Sequence, residues 1–163
     1  MSDRSREKIK KGSVSVQGRL KVFDEIEYFA VLATQGAESP YTSLVAFAVT
    51  PDQKKLLFFT TKKTRKYENI LNSEHVSLLV DNRSSGNKAL LETEAITILG
   101  LARPVRKGRA WDEYARILLK KHPDFESFLK LPTTALIAVE ITQCIHVGNF
   151  QVVTVWEPTP DGN

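Results

Sequence analysis

Leu56-Leu-Phe-Phe-Thr-Thr-Lys-Lys-Thr-Arg-Lys-Tyr-Glu-Asn-Ile-Leu-Asn72 joins three patterns in one run. Leu56 to Thr61 reads as a short buried strand. A basic turn follows, and Tyr67, Ile70 and Leu71 then recur at helical spacing, so a helix is predicted to start near Thr64. The Thr64 hydroxyl suits an N-cap, where it can accept from the unpaired amides of the first turn. Arg65 and Lys66 then fall at the positive end of the helix dipole, with Lys62 and Lys63 just before them. Exposed cations there are unfavourable by roughly 0.3–1 kcal/mol each. An anion would remove the conflict: free amides, the Thr60 and Thr61 hydroxyls and the cations together suit a phosphate. A solvated lysine-rich turn that only keeps a sheet edge soluble is the other reading, and composition does not separate the two.

On the N-terminal side, Leu20, Phe23 and Ile26 recur every third residue within Gln17 to Tyr28, which predicts a short amphipathic helix. Phe29 to Thr34 is predicted as a strand, Gly36 to Pro40 as a turn, and Tyr41 to Val49 as the second strand of a hairpin. Its apolar run from Leu44 to Val49 predicts that both faces are covered. Pro51-Asp52 turns the chain back into Leu56 to Thr61.

On the C-terminal side, His75 to Val80 is predicted as a strand, Asp81 to Lys88 as a loop, and Thr93 to Val105 as a long strand. Gly100 inside that strand signals a bulge or a barrel bend. Trp111, Tyr114, Ala115, Leu118 and Leu119 mark one face of a second helix, stopped by His122-Pro123. A shorter helix over Asp124 to Leu129, a strand over Thr134 to Val147, a turn at Gly148-Asn149 and a strand over Gln151 to Trp156 complete the pattern. Residues 1–16 are expected to form a flexible N-terminal segment, 17–157 a single domain, and 158–163 a loose tail. Sequential strands with helices inserted at three points predict a mainly β, antiparallel, closed or half-closed barrel with peripheral helices.

The chain of 163 residues is long enough for one well-filled core, and 42% hydrophobic with 26% charged residues is ordinary for a soluble domain. The net charge of +4 is concentrated in Arg4 to Lys11 and Lys62 to Lys66. Nucleic acid binding through Lys62 to Lys66 is therefore allowed but not demanded, and only Tyr67 interleaves an aromatic ring with the basic run. Cys144 stands alone, so no intrachain disulfide or cysteine metal cluster is expected, and a reducing, cytoplasmic setting is the simplest match. Ser2 to Gly12 is polar and charged, which predicts neither a signal peptide nor an anchor.

Two stretches resemble the pyridoxamine 5′-phosphate oxidase-like family of FMN-binding split barrels: Ser39-Pro40-Tyr41-Thr42-Ser43-Leu44-Val45-Ala46-Phe47 and Phe58-Phe59-Thr60-Thr61-Lys62-Lys63-Thr64-Arg65-Lys66. In the oxidases proper, a Pro-Tyr-x-Arg-hydrophobic strand passes under the flavin and a Tyr-Thr-x-x-x-Ser-Arg-Lys turn holds the FMN phosphate. The resemblance implies a split β-barrel of the FMN-binding type. It implies that Arg65 and Lys66 pair with phosphate, that Thr60, Thr61, Lys62 and Thr64 complete the turn, and that Ser43, Leu44, Val45 and Ala46 present backbone to the ring. It further implies a homodimer with the flavin at the subunit interface, and an oxidoreductase whose substrate and electron donor stay open. Haem or a deazaflavin is the alternative cofactor within the same superfamily.

The sequence departs from the oxidases at several of these positions. The strand arginine corresponds to Ser43, the lysine closing that strand to Ala48, a flavin-contacting glutamine to Ala95, and the turn tyrosine to Phe59. Thr154 to Asn163 has no counterpart of the substrate-binding arginine and histidine, so the resemblance does not extend to pyridoxamine phosphate oxidation. His75, His122 and His146 show no ligand spacing, so no metal site is expected; His75 and His122 read as surface residues, and Trp111 as a core residue. Glu92 and Glu94 would share one face if extended, as solvated strand carboxylates. Cys144 is expected to be a buried inert thiol, and Arg83, Arg103, Arg106 and Arg109 to be scattered over the surface.

Overall fold

Val16, Leu20 and Phe23 fall on one stripe of helix α1 (Val16–Ile26), and all three are buried against the barrel that the rest of the chain builds. Ser15 caps this helix, its hydroxyl accepting from the Gly18 amide at 3.1 Å. The structure, a computed structural model, describes residues 15–86, 89–149 and 152–159. Most of the expected loose ends, 1–14 and 160–163, lie outside the described residues. Val16, expected in the flexible segment, is the buried first residue of α1.

Strands β1 (Phe29–Gln35), β2 (Pro40–Val49), β3 (Lys55–Thr61), β4 (His75–Asp81), β5 (Ala95–Pro104), β6 (Thr134–Gly148) and β7 (Val152–Trp156) form one antiparallel sheet in the order β3-β2-β1-β4-β5-β6-β7. A further pairing of β3 with β6, Lys55 to Thr61 against Glu140 to Thr134, closes the first six strands into a barrel. β7 pairs with the far half of β6, Cys144 to Gly148 against Trp156 to Val152. Closure removes the edges an open sheet would expose. The protein is thus mainly antiparallel β, a split barrel with peripheral helices.

Helix α2 (Arg65–Asn72) lies between β3 and β4, and helices α3 (Arg109–Lys121) and α4 (Glu126–Leu129) between β5 and β6. A single-turn 3₁₀ segment, Pro123–Phe125, joins the last two. The barrel core is filled by Phe23, Leu32, Phe47, Phe58, Leu78, Ile96, Ile98, Ile137 and their neighbours. A second cluster, Ala48, Leu57, Trp111, Ala115, Leu118 and Leu136, seats α3 on the outside of β2, β3 and β6. Trp111 is accordingly a packing residue, with the Lys107 ammonium 3.6 Å above its ring.

Gly100 sits at the register shift between β5 and β6, where Leu99 faces Gln143 but Gly100 faces Ile141. A Cβ there would overlap the Glu140 carbonyl oxygen and lie 2.6 Å from Val139 Cγ1, so the strands meet this closely only at glycine. The bulge expected at this position is present.

Four expectations need correction. β2 is covered on both faces only from Phe47 to Val49; Leu44 is 62% exposed, because α3 reaches only the far end of the strand. The loop expected from Asp81 starts one residue later, since Asp81 still belongs to β4; it contains a 3₁₀ turn, Arg83–Ser85, and residues 87–88 lie outside the described part. Glu92 closes another such turn, Leu90–Glu92, and is exposed, whereas Glu94 turns inward to Arg19 (2.6 Å) and His146 (3.0 Å). His122 is buried, since Pro123 folds the chain back over the barrel there.

Candidate functional site

Thr64 is the N-cap of α2: its oxygen accepts from the Tyr67 amide at 3.4 Å and its proton goes to the Thr61 carbonyl at 2.9 Å. With that proton committed, the 3.0 Å contact between the Thr60 and Thr64 hydroxyls has Thr60 as donor. The turn is therefore held by its own threonines, and a phosphate would have to draw the Thr60 proton away from Thr64. Beyond it, the Lys62 amide donates to the Thr133 carbonyl at 2.8 Å and continues the β3–β6 ladder into the turn.

The four cations of the run separate. Lys62 and Lys63 are exposed. Lys66 turns into a cleft of about 290 Å³, where burial lowers its pKa below the ordinary 10.5 and no carboxylate among the described residues pairs with it. Arg65 turns the other way: its guanidinium lies 5.1 Å from the Tyr41 ring centroid and lines a separate, more polar pocket with Glu38, Glu68 and Asn72. The run is not a single basic face.

The Lys66 cleft has one polar end and a remainder that is apolar apart from His122. Thr60, Thr61, Thr64 and Lys66 form the polar end, while Leu44, Val45 and Ala46 of β2 line one wall. Seven of the ten residues nominated for cofactor binding thus meet in one place. Ser43, Lys62 and Arg65 do not line it; the Ser43 hydroxyl is buried without a hydrogen-bond partner. Phe29 of β1 and Phe59 of β3 extend the β2 wall on either side, and Leu118 of α3 with His122, Phe125 and Phe128 completes the lining. These residues were not nominated. Only the paired aromatics after His122-Pro123 gave a local hint, and their position depends on how α3 docks on the barrel.

His122 is 8% exposed, and its Nε2 lies 2.8 Å from the Phe47 carbonyl oxygen. A carbonyl only accepts, so Nε2 carries the proton. Burial lowers the His122 pKa, opposed by the Phe47 bond, so the ring is neutral at neutral pH. Tyr28 and Phe125 both meet it edge-on at 5.9 Å between centroids. Behind it, Lys121 bonds Asp24 at 3.1 Å, and burial lowers the lysine's pKa against that carboxylate's pull.

Outside the cleft, Glu94 joins Arg19 of α1 to His146 of β6; burial raises its pKa, but the His146 and Arg19 hydrogen bonds outweigh this and leave it lowered. His75 is exposed. Burial pushes the Cys144 thiol up to about 12, which makes it inert as expected. Arg83 and Arg103 hold separate surface ion pairs, with Asp81 and with Glu74. Among the described residues no group of three acidic, histidine or cysteine side chains is placed to hold a metal, and no helix is long and apolar enough to cross a membrane.

The outer face of β1, β2 and β4 is apolar beside the cleft. Phe29 is 56% exposed and faces Ala46 across the ladder, and Val31 sits between Leu44 and the 37% exposed Leu79. Phe29, Leu44 and Ala46 also line the cleft, so the two surfaces are continuous.

Comparison with known proteins adds a family and several folds. A family model described as pyridoxamine 5′-phosphate oxidase matches residues 16–148. No curated protein matches the sequence. Among solved structures, the haem storage protein HutZ from Vibrio cholerae aligns with TM-score 0.69 at 18% identity, over 87% of this chain and 95% of that one. A haem-binding protein from Mycobacterium smegmatis aligns with TM-score 0.72 at 14% identity, over 83% of this chain but only 56% of its own length. An FAD-binding protein from Mesorhizobium loti aligns with TM-score 0.62 at 17% identity, over 82% of this chain and 94% of that one. At these identities the likeness is one of fold.

Proposed function

Because the chain belongs to the pyridoxamine 5′-phosphate oxidase family, we propose that it is an FMN-binding oxidoreductase whose cofactor sits in the Lys66 cleft. One observation carries the reading: a half-buried lysine with no carboxylate partner among the described residues closes the polar end of a cleft whose other walls are apolar apart from His122. An amphiphilic ligand with an anionic end and a flat apolar body matches that division. Lys66 and the first-turn amides of α2 would hold the phosphate, and Thr60 and Thr61 would turn their hydroxyls to it. Leu44 to Ala46 and Phe59 would support the ring from the barrel side, and Phe125 and Phe128 would complete its pocket. FMN, when bound, supplies hydride and single-electron transfer; the chain supplies position, charge and exclusion of water. No side chain is assigned as a catalytic acid or base.

A homodimer belongs to the same proposal. The apolar outer face of β1, β2 and β4 would be covered by a second copy, which would also close the open side of the cleft. The lone buried thiol agrees with a reducing, cytoplasmic setting.

The test is a visible absorption spectrum of the protein as purified and again after adding FMN and removing the excess. Paired flavin bands in the wild type, lost in the double variant Arg65→Ala/Lys66→Ala, are the expected result. A colourless protein that does not take up FMN would overturn the reading.

A second reading, haem binding, is favoured by His122, the one histidine that lines the cleft. The bond from Nε2 to Phe47 would leave Nδ1 as the ring nitrogen for the metal. A sharp Soret band on adding haemin, absent in His122→Ala, would establish this reading in place of the first. A deazaflavin would share the phosphate end and is separated from FMN by its own absorption bands. Nucleic acid binding is disfavoured by the division of the four cations among separate surfaces.

A further inference from the structure

His122 uses one ring nitrogen and leaves the other open. Nε2 is tied to Phe47. Nδ1 makes no hydrogen bond among the described residues, and it is not one of the fully enclosed polar atoms, of which the described residues show only the Ser43 hydroxyl. The open space that His122 lines is the Lys66 cleft. A histidine kept only for packing would have both nitrogens satisfied or enclosed.

The neighbours fix this arrangement. The Phe47 carbonyl selects the Nε2–H tautomer, so Nδ1 carries a lone pair. Tyr28 and Phe125 hold the ring plane edge-on, and a flip within that plane would put a carbon where Nε2 meets the Phe47 carbonyl. Lys121 and Asp24, the charged groups beside it, are engaged with each other, and Lys66 lines the same cleft. Burial keeps the ring neutral, so the lone pair persists at neutral pH.

We propose that His122 is a specificity residue: its Nδ1 accepts a hydrogen bond from an N–H donor on the flat body of the ligand whose phosphate Lys66 holds. The cleft then recognises its ligand by a donated proton as well as by charge. This rests on the flavin reading of the cleft; the oxidised isoalloxazine carries a single ring N–H, at N3. A flavin methylated at N3 would lose the contact while keeping its phosphate and shape.

The test uses the full chain, 15N-labelled, in long-range 1H–15N spectra at neutral pH with and without FMN, together with titrations of FMN and N3-methyl-FMN. The expected results are an Nε2–H tautomer, an Nδ1 resonance that moves when FMN binds, and FMN affinity about tenfold above that of N3-methyl-FMN in the wild type. His122→Phe should erase that preference, and His122→Asn, which places an acceptor where Nδ1 stood, should restore part of it. An Nδ1–H tautomer, or an unmoved Nδ1 resonance while absorbance shows FMN bound, would overturn the proposal. If FMN is not taken up, the flavin reading fails separately. The same spectra with protoporphyrin IX, which carries ring N–H donors and carboxylates without iron, then decide for His122, and an unmoved resonance overturns it.

Discussion

Arg65 and Lys66 are neighbours in sequence but serve different surfaces. Lys66 enters the cleft between β2, β3 and α3, whereas the Arg65 guanidinium rests 5.1 Å from the Tyr41 ring over the adjoining pocket. Successive residues of a helix point about 100° apart, so a pair of cations at a helix start cannot both face one small site without a side-chain rearrangement.

The two cations should therefore contribute unequally. Lys66→Ala is expected to weaken FMN by tenfold or more, as the loss of a charge-assisted hydrogen bond worth about 1.5–3 kcal/mol requires. Arg65→Ala should weaken it by less than about threefold. Flavin fluorescence titration measures both, and an equal loss would show that Arg65 leaves Tyr41 to reach the phosphate.

The same lysine makes binding sensitive to alkali. Burial lowers its folded pKa below 10.5, so in the free protein it loses its proton at a lower pH than an exposed lysine would. Affinity for FMN should fall as pH rises through that lowered value, because a neutral amine offers no charge to the phosphate. Lys66→Arg, which stays protonated, should flatten the alkaline limb of the profile; an unchanged limb would place the titrating group elsewhere.

Thr64 supports the turn in two ways, as the α2 cap and as the partner of Thr60. Thr64→Ala should cost about 1 kcal/mol, seen in thermal melts as a fall of roughly 2–4 °C. The freed Thr60 proton could then go to phosphate, so FMN affinity should change less than stability does. A melting point equal to wild type would contradict the capping role.

Gly100 and Gly18 offer a contrast at constant chemistry. Gly100→Ala drives a methyl into the Glu140 carbonyl and Val139, so a loss of about 3 kcal/mol or failure to give soluble protein is expected. Gly18→Ala meets only Ser15 at 3.5 Å, on a helix, and should be neutral or stabilising by up to about 1 kcal/mol. Denaturant melts of the two variants check both expectations.

The apolar outer face gives the fifth prediction. Leu44→Glu puts a charge beside Val31 in the middle of that face and should convert a dimer to a monomer in light scattering, with loss of FMN. A wild type that is already monomeric would remove the second copy from the proposal.

The strand, turn and helix from Leu56 to Asn72 were legible because every signal in them is local: an apolar run, a capping threonine, and cations at the wrong end of a dipole. Gly100 was legible for the same reason. Leu44 was misread because an apolar run reports what a strand needs covered and not whether this chain covers it, and α3 stops short of it. His122 was misread because its partner, Phe47, is remote in sequence and its burial follows from the docking of α3. Glu94 likewise shows its role only once α1 and β6 bring Arg19 and His146 to it.

The closing pair of the barrel also sets a timetable. β3 and the turn after it are held on one side by Thr133 to Glu140, a segment synthesised long after Lys62 has left the ribosome. At ~5–20 residues/s the interval is roughly 4–14 s. Through that delay the turn has neither its neighbouring strand nor the wall built by α3, so a nascent chain cannot take up a ligand early as a folding aid. On the proposed reading, loading must wait for the C-terminal strands to dock, and a chain cut before Thr134 would keep its basic turn on an unpaired strand edge.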